Sequence, residues 1–319
     1  THTARISASF DISLGHNPDS ILLPVSGLGG ITHAVTTPLY DDRAGRELQF
    51  AGQAAVIDLA QRPDMVTRPR AAMVLEMGQG GAARAGGARG AVMVALRTTL
   101  ADVRHFARNR AAYDRGEGRP QTLSRVDLEA LVPVAEGRMP LIVKVDRASD
   151  IREMITLARD EKLRLILDGA EEGWRIADEI AAAEVPVILD PLANLPHSFA
   201  ELGATMENAA RLHAAGVTIV LKAGAGVAHR ARELRYGAGN AVAWGLPHDV
   251  AVAALTVNPA RVFGVADRAG TIEAGRPADL VLWSGDPLEP LSQPQLVFVE
   301  GRETPLTARP LELRDRYMP

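Results

Sequence analysis

Six side chains carry most of the chemistry this sequence offers: Lys144, Lys222, Asp168, Asp190, His33 and His229. Of 35 basic residues only three are lysine, the third being Lys162, so each lysine is worth placing. Lys144 lies within the apolar run Leu141–Val145, and Lys222 follows the run Val217–Leu221. Asp168 and Asp190 follow two further runs, Leu163–Leu167 and Val185–Leu189. If those runs are neighbouring strands, the two ammonium groups and two carboxylates meet at one end of a sheet. Clustering them there is physically sensible, because an unpaired, partly buried charge is costly. An ammonium in such a cluster can occupy the space and charge of a bound cation.

Asp168 has two readings. With Asp190 it offers hard oxygen donors suited to a divalent cation, and before Gly169 at a strand-to-helix turn it is also a natural cap. His229, beside Arg230 and Arg232, is placed to work as an acid or base, or to remain a loop residue. His33 lies inside an early strand, where it lines the core or the mouth of the fold. Lys144, Asp168 and His229 are therefore the catalytic candidates, and Lys222, Asp190 and His33 the substrate-binding candidates. None is assigned as a metal ligand from the residues alone.

Other chemistries drop out. The chain of 319 residues has no cysteine, which removes disulfides, thiolate metal sites and thiol nucleophiles. No Gly-x-Ser-x-Gly elbow occurs. The glycine-rich segment Gly78–Gly90 reads as a loop over one face, and it lacks the Lys-Ser or Lys-Thr of a phosphate loop. A net charge of -4 gives no pull toward nucleic acid or acidic membranes. The longest uncharged run, Ser20–Tyr40, is interrupted by Pro24 and Pro38, so no membrane span is expected.

From about residue 140 the pattern is regular. Short β-branched runs alternate with amphipathic stretches, which predicts a parallel sheet with helical crossovers. Ser149 is read as the cap of the first of these helices, and 171–184 as the second helix. In the first half, 30–38 and 71–77 read as strands, 91–113 and 124–134 as helices, with Ser124 and Asp127 spaced as a capping box. After two short helical pieces over 248–263, the strands 270–283 and 295–301 suggest a small separate β-layer.

The tail resembles a known family. Ala253-Ala-Leu-Thr-Val-Asn-Pro-Ala-Arg-Val-Phe-Gly264 followed by Gly270-Thr-Ile-Glu-Ala-Gly-Arg-Pro-Ala-Asp-Leu-Val-Leu-Trp283 is similar to the C-terminus of the amidohydrolase superfamily, and most similar to its imidazolonepropionase-like branch. Gly29-Gly-Ile-Thr-His-Ala-Val-Thr-Thr-Pro38, Arg147–Ile151, Val185–Leu189 and Gly239–Leu246 fit the same pattern. The resemblance implies a TIM-type (β/α) barrel over 1–265 and a small β-sandwich portion with a tail over 266–319. It also implies hydrolysis of a C–N bond in an amide, cyclic amide or peptide. In active relatives one or two divalent metals, typically zinc, sit at the C-terminal face and lower the pKa of bound water.

This chain departs from that pattern. No His-x-His occurs. Lys144 and Asp168 stand where many relatives carry histidine, and Val227 stands where the resemblance places the last-strand aspartate. The expectation is a barrel lacking its first strand, with a degenerate metal site and no cofactor, unless a rearranged set from His33, Asp168, Asp190 and His229 holds zinc. A second chain, a homo-oligomer or a further N-terminal portion is expected to complete the barrel. Two functions follow: a hydrolase, or a non-catalytic homologue acting as scaffold or partner subunit of an active amidohydrolase. Thr1 at the start and the lack of cysteine suit an exported, periplasmic or secreted protein as well as a cytoplasmic one. Since first-strand histidines are missing, Lys144→His combined with Val227→Asp should not create zinc binding. Tight zinc uptake by that double variant, measured by elemental analysis, would mean the strand was misplaced.

Overall fold

Aliphatic residues at every second position build this sheet from both sides. The computed structural model describes residues 7–39, 50–117, 119, 121–193, 195–196, 198–224 and 228–318, except the side chains of Ala228 and His229. In chain order the elements are α1 (Leu22–Gly27), β1 (His33–Thr36), β2 (Phe50–Asp58), β3 (Val66–Glu76), α2 (Gln79–Arg84), α3 (Arg89–Arg108), α4 (Arg110–Asp114), α5 (Arg125–Ala135), β4 (Leu141–Val145), α6 (Ala148–Glu161) and β5 (Leu165–Gly169). Then follow α7 (Ala177–Ala182), β6 (Val187–Leu189), α8 (Asn208–Ala214), β7 (Ile219–Leu221), α9 (Leu234–Ala243), α10 (His248–Leu255) and α11 (Val257–Val262). The chain ends with β8 (Leu280–Trp283), β9 (Pro294–Val299), β10 (Arg302–Glu303) and α12 (Arg309–Tyr317).

Seven strands form one sheet in the order β1-β2-β3-β4-β5-β6-β7. The first three pair antiparallel, and β3 to β7 run parallel. The sheet curls into a half-barrel, which is the incomplete TIM-type architecture expected from the sequence. Val74, Ile142, Ile166, Ile188 and Val220 pack with Phe263 and Val265 on the inner side. Leu75, Val143, Leu167, Leu189 and Leu221 alternate with them and face the helices in the larger core. At the β7 edge, Asn258 Nδ2 donates to Ile219 O at 2.9 Å, so α11 covers part of what would be an open strand. The small layer expected at the C-terminus is a three-stranded antiparallel sheet, β10-β9-β8.

Four local readings change. The glycine-rich segment is not a loop but α2 and the start of α3. At Gly81 a Cβ would sit 2.1 Å from Glu76 O, so only glycine lets α2 turn back onto the end of β3. Helix α6 starts at Ala148, with Arg147 rather than Ser149 at its cap position, and the free Ala148 N–H reaches Glu172 Oε2 at 3.2 Å. The helix expected over 171–184 shrinks to a 3₁₀ turn at Gly173–Ile176 followed by α7, because Glu171 and Glu172 turn inward and are buried. Strand β2, unread in the sequence, is almost wholly buried between β1 and β3. The capping box holds: Ser124 Oγ accepts from Asp127 N at 3.3 Å. Asp127 also receives Ser9 N at 2.8 Å, tying the N-terminal segment to α5.

The terminal sheet is locked to the half-barrel by charge. Asp58, fully buried, accepts from Arg62 Nη2 at 2.6 Å, and Arg62 Nη1 also binds Glu300 Oε2 at 2.5 Å. Arg268 meets the other Glu300 oxygen at 2.9 Å. The Glu300 amide in turn donates to Asp279 Oδ1 at 2.8 Å. Removing Arg62 leaves a buried carboxylate without its counter-charge, a defect that costs about 3 kcal/mol. Arg62→Met should lower the unfolding free energy by about that amount in a urea titration.

Candidate active-site mouth

The alternation that fills the half-barrel with aliphatics continues one step further with charge. Two residues beyond Val74, Ile142, Ile166, Ile188 and Val220 come Glu76, Lys144, Asp168, Asp190 and Lys222. With a side-chain period of two, these five stand on the inner face at the C-terminal strand ends. That is the face where barrel enzymes build their active sites. Lys222 reaches from β7 past β6 and donates its ammonium to Asp168 Oδ1 at the end of β5. Arg84 on α2 pairs with Glu76. Lys144 is exposed, at the register position between Glu76 and Asp168. Asp190 Oδ1 accepts Leu192 N at 3.0 Å, which shapes the loop after β6.

Three more carboxyls enter from the loops. Asp146 follows β4 and fills the space beside Gly169, where φ is +98° and a Cβ would lie 2.2 Å from Asp146 Oδ1. Any other residue at 169 would displace that carboxyl. Glu171 is 8% exposed. Glu201 comes from the 3₁₀ turn Phe199–Glu201 and receives Ser198 Oγ at 3.0 Å.

This crowding sets the protonation. Burial, with Glu201 and Asp168 nearby, pushes the Asp146 carboxyl up to about 6 despite Lys144 and Lys222. Burial and the Asp146 charge push Glu171 up to about 8, with Glu201 and Asp190 adding to it and Lys222 opposing. Burial works against the Lys222 ammonium, but Asp168, Glu171 and Asp146 raise its pKa on balance. At neutral pH the mouth thus holds a charged lysine, an ionised Asp146 and a protonated Glu171. Carboxyls driven apart in this way are a signature of acid–base sites.

Four of the six predicted residues converge here: Lys144, Lys222, Asp168 and Asp190. Asp168 serves Lys222 rather than capping the next turn. His33 does not join them. Its register opposite Asp58 puts it at the other end of the sheet, 3.9 Å from Asp279 Oδ2, where burial lowers its pKa. The side chain of His229, together with His197 and Val227, lies outside the described residues. Asp146, Glu171 and Glu201 were missed, although a carboxylate directly after a strand and the pair Glu171-Glu172 after Asp168-Gly169 are visible signals.

Among the described residues, no three histidine or acidic side chains are arranged to hold a metal ion. At these strand ends Asp168 is engaged by the Lys222 ammonium, so the described residues offer no assembled donor set for a metal. Residues 141–307 match the Amidohydrolase family, half of the chain. The chain belongs to the amidohydrolase family. Its fold agrees with that of an amidohydrolase from Thermotoga maritima MSB8, with a TM-score of 0.82 at 25% identity over 97% of this chain and 80% of that one. Shorter segments are similar to amidohydrolase tasK of Hapsidospora irregularis, 41% identical over 58 residues, and to urease subunit alpha 2 of Streptomyces coelicolor, 48% over 50 residues. Those segments cover 18% and 16% of this chain, and only 6% and 9% of the two relatives.

The raised carboxyls of this amidohydrolase-family chain have a thermodynamic consequence. Glu171 binds its proton more tightly folded, at about 8, than unfolded, at 4.5. Folding is therefore favoured by that proton at low pH and loses the advantage as pH rises from 4.5 through about 8. Glu171→Gln should flatten this fall and make the protein more stable than wild type at pH 8, on the order of 2–4 kcal/mol. Urea titrations at several pH values read it directly; an unchanged slope would mean that Glu171 ionises normally.

Proposed function

We propose that this protein hydrolyses a C–N bond of an amide, cyclic amide or peptide at the half-barrel mouth. In this reading the metal site of the family is degenerate, and Lys222, held on Asp168, stands in its place. The observation that carries the proposal is that ion pair, set among carboxyls of perturbed pKa at the catalytic face of the fold.

The chemistry follows from the residues. Asp146, ionised above about 6, takes a proton from a water molecule. The water oxygen bonds to the carbonyl carbon, and the ammonium of Lys222 stabilises the oxygen that becomes negative. The C–N bond then breaks as Asp146 returns the proton to the leaving nitrogen, so that water and amide give acid and amine. Lys144 and Asp190 at the rim are placed to orient substrate, and His229, in the turn after β7, is retained as a further acid–base candidate.

The non-catalytic alternative draws support from one feature. The Lys222–Asp168 pair is closed on itself, and the sheet, whose described strands do not ring shut, would accept a partner. A panel of amides, cyclic amides and peptides tested on purified protein, with and without chelator, separates the two. The hydrolase reading expects chelator-resistant turnover that Lys222→Met lowers about 100-fold or more. Turnover abolished by chelator and restored by zinc would overturn the lysine-for-metal reading, and no turnover at all would leave the partner-subunit role.

A further inference from the structure

His33 takes no part at the mouth, and its place at the opposite end of the sheet gives it other company. It opens β1 directly across from Asp58 on β2, so the two side chains share a face. There the terminal sheet is seated on the half-barrel. Arg62 joins Asp58 to Glu300, Arg268 holds the second Glu300 oxygen, and the Glu300 amide is fixed on Asp279. The His33 ring reaches into this seam. Its Nε2 lies 3.9 Å from Asp279 Oδ2, and the two side chains are 18% and 10% exposed. On its other side Nδ1 is 3.4 Å from Thr32 Oγ1.

The charges of the seam come from five separate segments. Asp58 ends β2, Arg62 lies between β2 and β3, Arg268 follows α11, Asp279 precedes β8, and Glu300 follows β9. Among the described residues, three carboxylates thus meet two guanidiniums around one imidazole, and the imidazole is the group suited to change charge between pH 5 and 8. In the closed seam burial outweighs the pull of Asp279, Asp58 and Glu300, and Arg268 adds repulsion, so the ring binds a proton less readily than the ordinary 6.5. Once the seam opens, the ring reaches water and takes up its proton at the usual pH. A proton therefore favours the open arrangement. The seam holds in full above pH 6.5 and weakens as pH falls below it.

We propose that His33 is an acid-sensitive catch on the seam between the half-barrel and its terminal sheet, closed while the imidazole is neutral and loosened when it takes a proton. Arg62, Asp58 and Glu300 give the seam its strength, and His33 gives it a response to pH. The catch lies at the end of the sheet away from the mouth and does not depend on the hydrolysis proposed there.

Amide hydrogen exchange of the full chain tests this, followed at β8 and β9 between pH 7.5 and 5.5 and corrected for the intrinsic pH dependence of exchange. Protection of these strands is expected to fall by up to about tenfold, the limit for a ring that stays neutral when closed in and titrates normally when released. Protection in β4 and β5 should not fall with it. His33→Gln should hold β8 and β9 constant over the range. His16→Gln, which removes the histidine 3.1 Å from Thr36 Oγ1 at the far end of β1, should leave the wild-type fall in place. Proton NMR of the His33 ring reads the unaltered protein even where the variant fails to fold, and its midpoint should lie below 6.5. The inference is overturned by constant protection in the wild type, by an equal fall in β4 and β5, by an undiminished fall in His33→Gln, by loss of the fall in His16→Gln, or by a His33 midpoint at or above 6.5.

Discussion

The mouth of this half-barrel depends on one ion pair, the Lys222 ammonium on Asp168. Six carboxyls converge on the C-terminal strand ends, and without internal cations their repulsion would hold the strands apart or force them all to bind protons. Lys222 is one of the cations set among them, with Arg84 on Glu76. It spans from β7 to β5, so it also ties together two strands that are not neighbours in the sheet. Coulombic attraction from Asp168, Glu171 and Asp146 outweighs the burial that would otherwise discharge it. A fixed positive charge there orders the acidity of its neighbours: it opposes the rise at both Asp146 and Glu171, yet Asp146 ionises first and Glu171 keeps its proton.

The elements are arranged so that this cluster costs little elsewhere. Each parallel strand gives its inner face first to an aliphatic and then to a charged residue, so the apolar core ends where the polar mouth begins. Glycines finish the fit at two points, Gly169 beside Asp146 and Gly81 beneath the turn of α2. The charged clamp of Asp58, Arg62 and Glu300 sits at the opposite end of the sheet and fastens the terminal strands. Barrel proteins commonly divide stability and function between their two faces, and here the division is between two ionic networks of different purpose. In the lower one Arg62 and Arg268 hold Asp58 and Glu300, and among the described residues the upper one carries more carboxyls than cations.

Much of this was readable beforehand because periodicity is a local property. The runs ending at Lys144, Asp168, Asp190 and Lys222 showed both strands and charges, and the tail motif identified the family. What could not be read depends on pairing partners. Strand β2 contains Gly52 and Gln53 within a run of small residues, and it is a strand because β1 and β3 flank it. The α6 cap went to Ser149 by local rule, whereas Glu172, 24 residues away, supplies the acceptor. His33 looked like a mouth residue because it lies in a strand, but strand direction decides which end it occupies, and direction follows from the antiparallel pairing of β1 with β2.

The adjacent residues Glu171 and Glu172 show most sharply why composition alone does not locate function. Both are buried, to 8% and 7% exposure, and both belong to the same turn. Glu172 is used up by the fold: its two oxygens accept Ala148 N and Gly203 N, each at 3.2 Å, and Arg175 lies 3.7 Å away. No shared proton or ligand is needed to account for its burial. Glu171 instead feels the charges of Asp146, Lys222, Glu201 and Asp190. Burial alike in extent thus gives one glutamate a structural task and leaves the other's proton to be set by the charges around it.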